Sequence, residues 1–264
     1  YSDETTTEPL ALLVATFLLG VLTANFAAVL NSLVPAVATR ALRIVGLLSQ
    51  AGPGPVLGAV GTVAFFFLVV GPIEETVKLL AVRLYAFRHD SFNTVVDGAV
   101  YGAMAGLGFA FIENSLYIAQ NVDAMSLDFG LALFGAGGGI TAVRALAGPG
   151  HVIYSAFAGY YLGLAKFNPE DAGPIIVKGL VIASVIHALY NTIASPAAGI
   201  IATFTPLGPF LAFLAFVIVY DGAFAGLLVA KIRRYRRAYR QVHDDAGADD
   251  HDEATLRSES TEFE

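Results

Sequence analysis

The chain has 264 residues, of which 56% are hydrophobic and only 14% are charged, whereas soluble domains carry about 25% charged residues. This composition predicts an integral membrane protein rather than a soluble domain. The net charge is −7 and cysteine is absent, which excludes disulfides, thiolate metal sites and a cysteine nucleophile. No basic patch with interleaved aromatic residues is present, so we expect no nucleic-acid partner.

Long apolar segments, separated by short polar or glycine-rich breaks, predict helices rather than strands. They are continuous in hydrophobicity, unlike the alternating strands of a β-barrel. At about 20 residues per span, the length predicts an all-α polytopic transmembrane bundle of about six to eight helices. We expect residues 1–240 to form this transmembrane domain.

The first half of the chain contains three predicted spans. Leu10–Leu30 follows an acidic leader without a clear cleavage site, so we expect a retained span rather than a signal peptide. Residues 31–50 fit either an interfacial amphipathic helix or a poor span, and the choice stays open. A second span covers about Val56–Tyr85, with a kink expected at Pro72, and a third covers about Thr94–Ile118.

The second half begins with residues 127–147, which fit either a short span or a re-entrant element. Further spans are predicted at Gly148–Lys166, Ile175–Ala194 and Pro206–Lys231. The last ends in KIRRYRRAYR, and the positive-inside rule then places the C-terminus of this cell-membrane protein in the cytoplasm. Residues 241–264 hold nine Asp or Glu and one Arg, a composition that predicts a disordered acidic tail.

Ionisable side chains stand inside four of these spans, although a charge at the bilayer centre costs about 2.5–3.5 kcal/mol. Because four separate helices carry such residues, we expect them to meet in one polar site. Such a site suits water activation, metal binding or ion movement. Glu74, Glu75 and Lys78 lie in the span Val56–Tyr85, and Glu113 lies in Thr94–Ile118. His151 lies in Gly148–Lys166, and His187 and Asn191 lie in Ile175–Ala194.

Helical spacing gives these residues specific relationships. Glu74 and Lys78 lie one turn apart and can pair, whereas Glu75 points about 100° away from Glu74. His187 and Asn191 also lie one turn apart, which can aim an imidazole and an amide donor at a common point. Each residue also has a structural explanation, such as a solvated helix end or a satisfied core histidine.

Other features limit the possible chemistry. Asp97, Arg144 and Asp221 are interpreted as structural charges. No G-x-S-x-G, Walker-type or H-E-x-x-H sequence is present, which argues against serine hydrolases, P-loop enzymes and zincins.

The ordered motifs resemble the PrsW family of intramembrane proteases, which is distantly similar to the CAAX-protease and bacteriocin-processing (CPBP, Abi) superfamily. The resemblance covers about residues 56–194 and implies an endopeptidase that cleaves membrane-associated protein or peptide substrates in the lipid bilayer. The motifs are EExxK at Glu74, Glu75 and Lys78, FxxxE at Phe109 and Glu113, a lone His151, and HxxxN at His187 and Asn191.

The resemblance also implies roles for these residues. Glu74 or Glu75 would act as general base, Lys78 would balance its charge, and Asn191 would donate to the oxyanion. Glu113, His151 and His187 would either ligate a metal or hold the water and polarise the scissile carbonyl. The family is commonly classed with metallopeptidases, whereas the CAAX relatives look like enzymes with glutamate-activated water and no metal. A divalent ion such as Zn²⁺ accepts carboxylate and imidazole ligands, and the expected set is Glu75, Glu113, His151 and His187.

Two other functions compete with proteolysis. A proton- or cation-coupled transporter can use the same carboxylates and histidines as a relay, but such folds have internal repeats and none is evident. A catalytically silent scaffold for other membrane proteins would tolerate loss of these residues.

Overall fold

The computed structural model of the protein describes residues 8–45, 55–119 and 139–261. These residues form helices and short turns without any strand, so the all-α prediction is confirmed. The helices are α1 (Leu10–Ile44), α2 (Pro55–Phe65), α3 (Gly71–Leu84), α4 (Val95–Ala119), α5 (Gly139–Lys166), α6 (Ala172–Phe204) and α7 (Pro209–Thr261).

Five helical segments of the described chain are long and apolar enough to cross a membrane, which confirms a multi-pass membrane protein. They are Leu10–Ile44, Val56–Arg88, Val95–Ala119, Pro169–Phe204 and Pro209–Arg237. Helix α5 is not among them. Its described side chains are mostly buried, including Tyr154, Phe157 and Leu162, so this helix lies inside the bundle and carries His151 there.

Helix α1 settles one question that the sequence left open. It is continuous over 35 residues with Pro35 inside it, so residues 31–44 continue the first helix and form no separate one, and residues 46–50 lie outside the described part of the chain. At about 1.5 Å per residue it is about 50 Å long, more than a hydrocarbon layer of about 30 Å. Of the other uncertain segment, residues 139–147 begin α5, and residues 127–138 lie outside the described part of the chain.

The second predicted span contains a break in its α-helical hydrogen bonding. Phe66–Val70 form a π-helical turn, in which the Gly71 N–H donates to the carbonyl of Phe66. This break falls just before Pro72, where the sequence predicted a kink and where the backbone has no N–H to donate. Helix α3 begins directly after the π-helical turn, so this turn sets the direction in which its acidic residues point.

Helices α4 and α5 pack with their backbones in contact. A Cβ atom at Gly102 would lie 2.3 Å from the carbonyl oxygen of Ser155, and one at Gly106 would lie 2.3 Å from that of His151. Small residues four apart permit such close approach in membranes. This packing places the His151 face of α5 against α4, which carries Glu113.

We expect Gly102→Ala to lower the thermal unfolding midpoint of the detergent-solubilised protein by several degrees. The added methyl meets backbone rather than a flexible side chain, and overpacking costs about 1–3 kcal/mol. Gly58→Ala is the matched control, because a Cβ atom there has nothing within 4 Å. Equal melting of Gly102→Ala and the wild type would contradict the close contact between α4 and α5.

Helix α7 continues to Thr261, beyond residue 241, where the sequence predicted a disordered tail to begin. A polar segment can extend a helix that is already formed, since only nucleation is costly. By its internal contacts the chain divides into Tyr1–Ala223 and Phe224–Glu264. The boundary after residue 240 stays a prediction, and the first unit contains every candidate site residue.

Candidate functional site

The structure brings acidic and imidazole side chains from α3, α4, α5 and α6 together. The rings of His151 and His187 lie 4.9 Å apart between centroids, and Oε2 of Glu74 lies 3.8 Å from Nε2 of His187. Oε2 of Glu113 lies 2.9 Å from Nε2 of His151. Helices distant in sequence therefore contribute to one polar cluster inside the bundle.

Glu75 and Lys78 form a buried ion pair in this cluster, with 2.8 Å between Oε1 and Nζ. The same Oε1 lies 2.9 Å from Nδ1 of His187. The hydroxyl of Ser155 donates to Oε2 of Glu75 at 3.2 Å. Both carboxylate oxygens of Glu75 are therefore already engaged by protein groups.

Lys78 fixes the orientation of His151. Its Nζ lies 2.9 Å from Nδ1 of His151 and 4.1 Å from the centroid of the Phe109 ring. An ammonium only donates hydrogen bonds, so Nδ1 of His151 accepts. The hydrogen of the neutral ring then lies on Nε2, where it points towards Glu113.

His187 has the opposite tautomer. An ionised carboxylate only accepts, so Nδ1 of His187 carries the hydrogen that binds Glu75. This leaves the Nε2 lone pair free to bind a ligand, on the side that faces Glu74. A carboxylate behind an imidazole commonly orients a metal-binding histidine in this way.

Glu74, His151 and His187 are the group among the described residues that can hold a metal ion. One ligand atom from each lies within 4.8 Å of the others, and all three residues are buried. Oε2 of Glu74 has no hydrogen-bond partner in the described part of the chain, a state that costs about 1–3 kcal/mol when nothing binds the atom.

The donor set therefore fits a divalent ion. Two imidazoles and one carboxylate are a ligand set that zinc enzymes use, with further positions left for water or substrate. A metal-binding nitrogen must carry a lone pair. Binding through Nε2 of His151 would therefore require the ring hydrogen to move from Nε2 to Nδ1, and Lys78 to release Nδ1. The group shares His151 and His187 with the expected set, has Glu74 as its carboxylate, and does not contain Glu75 or Glu113.

Two expected site residues lie less centrally. The side chain of Glu113 is 21% exposed, so it lies at the more open side of the cluster. Asn191 follows His187 by one turn and is partly buried. Among the described residues, no recorded contact joins Asn191 to the cluster.

Sequence reasoning missed several neighbours of the cluster. Ser155 and Tyr154 follow His151 at helical spacing, which was a usable signal, and the Tyr154 ring lies 5.4 Å from that of His187. The Tyr154 hydroxyl donates to Oδ1 of Asp221 at 3.2 Å, so Asp221 supports the wall of the site. Asn31, which donates to Oε1 of Glu74 at 3.0 Å, had no signal in the sequence.

The other two charges interpreted as structural lie elsewhere. Asp97 accepts hydrogen bonds from the backbone N–H groups of Asn93 and Thr94 at 2.8 and 2.6 Å. It therefore caps the start of α4, in agreement with that interpretation. The side chain of Arg144 lies outside the described part of the structure.

Comparison with known proteins assigns the family. A family model described as PrsW family intramembrane metalloprotease matches residues 8–223. A protein of Bacillus subtilis named Protease PrsW is 33% identical over 156 residues, which cover 58% of this chain and 65% of the relative. A protein of the same name from Halalkalibacterium halodurans is 32% identical over 127 residues, covering 48% and 53%.

The aligned part of the chain thus spans about half to two thirds of the length of these relatives. No solved structure matches the chain. Because the family model includes all four helices that supply the acid and imidazole groups, the chain belongs to the PrsW family of intramembrane metalloproteases.

Proposed function

We propose that the protein is an intramembrane metallopeptidase that hydrolyses a peptide bond of a membrane-associated protein. The observation that carries the proposal is the buried group of Glu74, His151 and His187, whose ligand atoms lie within 4.8 Å of one another. It lies in a helical bundle whose relatives are named proteases. Membership of this family disfavours a transporter that uses the same groups.

Glu74, His151 and His187 would hold the divalent ion, and their chemistry suits Zn²⁺. When bound, such an ion polarises a carbonyl group and makes a water molecule more acidic. The support for Glu74 over Glu75 as ligand is that Oε2 of Glu74 has no hydrogen-bond partner in the described residues. Both oxygens of Glu75 are engaged by neighbouring side chains.

We assign Glu113 as the general base, in place of the expected Glu74 or Glu75. Its side chain is 21% exposed, compared with 5% for Glu74 and 0% for Glu75, so Glu113 is the least enclosed of the three carboxylates. Glu113 would take a proton from water as the oxygen attacks the scissile carbonyl carbon. It would return that proton to the leaving amine nitrogen when the C–N bond breaks.

The remaining residues would hold this arrangement. Glu75 keeps the hydrogen of His187 on Nδ1, and Lys78 balances the charge of the neighbouring carboxylates. Asn191 remains the candidate donor to the oxyanion, because an amide one turn from His187 is suitably close in the helix.

The proposal is tested by reconstituting the purified protein in liposomes with membrane proteins of its host. New N-termini are then identified by mass spectrometry. We expect termini in the wild-type sample that disappear after chelation, return with added Zn²⁺, and are absent with Glu74→Gln. The same termini, at undiminished yield, from Glu74→Gln would refute the proposed site.

We also propose that the C-terminus is cytoplasmic, which the arginines at positions 233, 234, 236, 237 and 240 support through the positive-inside rule. Since the chain has no cysteine, a single introduced cysteine is its only thiol, and labelling of that thiol shows on which side of the membrane the residue lies. We expect Ser258→Cys to react with an impermeant maleimide only after the cells are opened. Gly208→Cys, in the exposed turn before α7, should react in intact cells, and the reverse pattern would contradict the orientation.

A further inference from the structure

We propose that Asn31 is a positioning residue for Glu74, and that α1 thereby takes part in the catalytic centre. The amide Nδ2 of Asn31 donates to Oε1 of Glu74 at 3.0 Å. Because this contact occupies Oε1, the other oxygen is left near Nε2 of His187, at 3.8 Å. The inference rests on the proposed function, in which Oε2 of Glu74 is a metal-ligand atom.

The packing of α1 against α3 and α4 holds Asn31 within hydrogen-bond distance of Glu74. A Cβ atom at Gly20 would lie 2.2 Å from the carbonyl of Ala105, so the backbones of α1 and α4 are in contact. One turn before Asn31, Ala27 is buried in a cluster with Phe109, and Ile73 of α3 packs against it. These contacts fix α1 against α3 and α4. Asn31, on the next turn of α1, therefore lies beside Glu74.

The hydrogen bond requires a donor at this position, and the amide group of Asn31 supplies it. A carboxylate accepts, so the Asn31 amide presents its NH₂ group to Glu74. Without that donor, Oε1 of Glu74 loses its partner inside the protein. The carboxylate is then free to turn towards the ammonium of Lys78, which lies 3.7 Å from Oε2, and away from the metal-ligand group.

The loss of Asn31 should therefore affect metal binding and turnover but not substrate affinity. We expect Asn31→Leu, which keeps a similar size, to weaken zinc binding about 10–100-fold, as the loss of supporting partners of metal ligands generally does. The value of kcat should fall in parallel at limiting zinc, while KM stays the same within error.

Asn25→Leu is the matched control. Asn25 lies on the same helix, is exposed, and bonds only to its own helix through the carbonyl of Val21 at 3.4 Å among the described contacts. Zinc affinity is measured on the purified protein by competition with a chromophoric chelator, and kcat and KM are measured on a cleaved peptide. Asn25→Leu should leave all three values unchanged.

Wild-type zinc affinity and kcat in Asn31→Leu would overturn the inference. Failure of the proposed function looks different, because the wild type itself would then neither bind zinc nor cleave. In that case the unfolding midpoints of Asn31→Leu, Glu74→Leu and the double variant still decide, because leucine at position 74 has no oxygen to accept the hydrogen bond. A double shift smaller than the sum of the single shifts supports the positioning contact, whereas additive shifts overturn it.

Discussion

Replacing Glu113 by glutamine is expected to lower kcat by about 10²–10⁴-fold while zinc binding is retained. Glutamine has nearly the same shape but cannot take a proton from water. The ligand group of Glu74, His151 and His187 does not include it, so the metal should stay. Turnover of a cleaved peptide and zinc content of the purified variant are the two measurements.

Glu170→Gln is the control for this experiment, because it makes the same chemical change at an exposed carboxylate in the turn before α6. It should leave kcat and zinc content unchanged. If Glu113→Gln loses zinc together with activity, Glu113 is a ligand and not the base. Wild-type activity in Glu113→Gln would remove it from the catalytic group altogether.

Replacing Lys78 by methionine is expected to destabilise the fold by about 3–5 kcal/mol, because it leaves a buried carboxylate without its counterion. The side chains of Lys78 and Glu75 are both 0% exposed. Removing the charge of Glu75 as well should recover part of the loss, so Lys78→Met with Glu75→Gln should be more stable than Lys78→Met alone. Denaturant unfolding in micelles measures the free energies.

The matched control is Lys178→Met, at an exposed lysine of α6. Surface charges contribute little, and we expect a change below about 0.5 kcal/mol. A Lys78→Met variant that unfolds like the wild type would show that the Lys78–Glu75 pair is solvated and not buried.

The sequence predicted that the site exists because a physical cost points to it. Ionisable residues in apolar spans are unfavourable unless they meet partners, and Glu74, Glu75, Glu113, His151 and His187 were identified on that ground. Gly98, Gly102 and Gly106 of α4 stand four residues apart, a spacing that is typical of close helix contacts in membranes. The composition and the length of the unbroken apolar segments were sufficient to predict the all-α membrane fold.

The finer arrangement depends on information that spacing does not contain. Whether Glu74 or Glu75 keeps a carboxylate oxygen without a hydrogen-bond partner among the described residues depends on the rotation of α3, which the π-helical turn at Phe66–Val70 changes. Asn31 could not be identified, because a lone asparagine in an apolar helix has many ordinary explanations. Its role follows only from the packing of α1 against α3 and α4.

The most direct test of a single catalytic centre compares Glu74→Gln, His187→Ala and the double variant. These side chains come from different helices, and Oε2 of Glu74 lies 3.8 Å from Nε2 of His187. When residues act as a unit, the effects of their substitutions do not add. We therefore expect each single variant to lose about 10³-fold or more in kcat/KM, and the double variant to lose little more than either single variant. Losses that multiply in the double variant, or cleavage at the wild-type rate in either single variant, would contradict a shared centre.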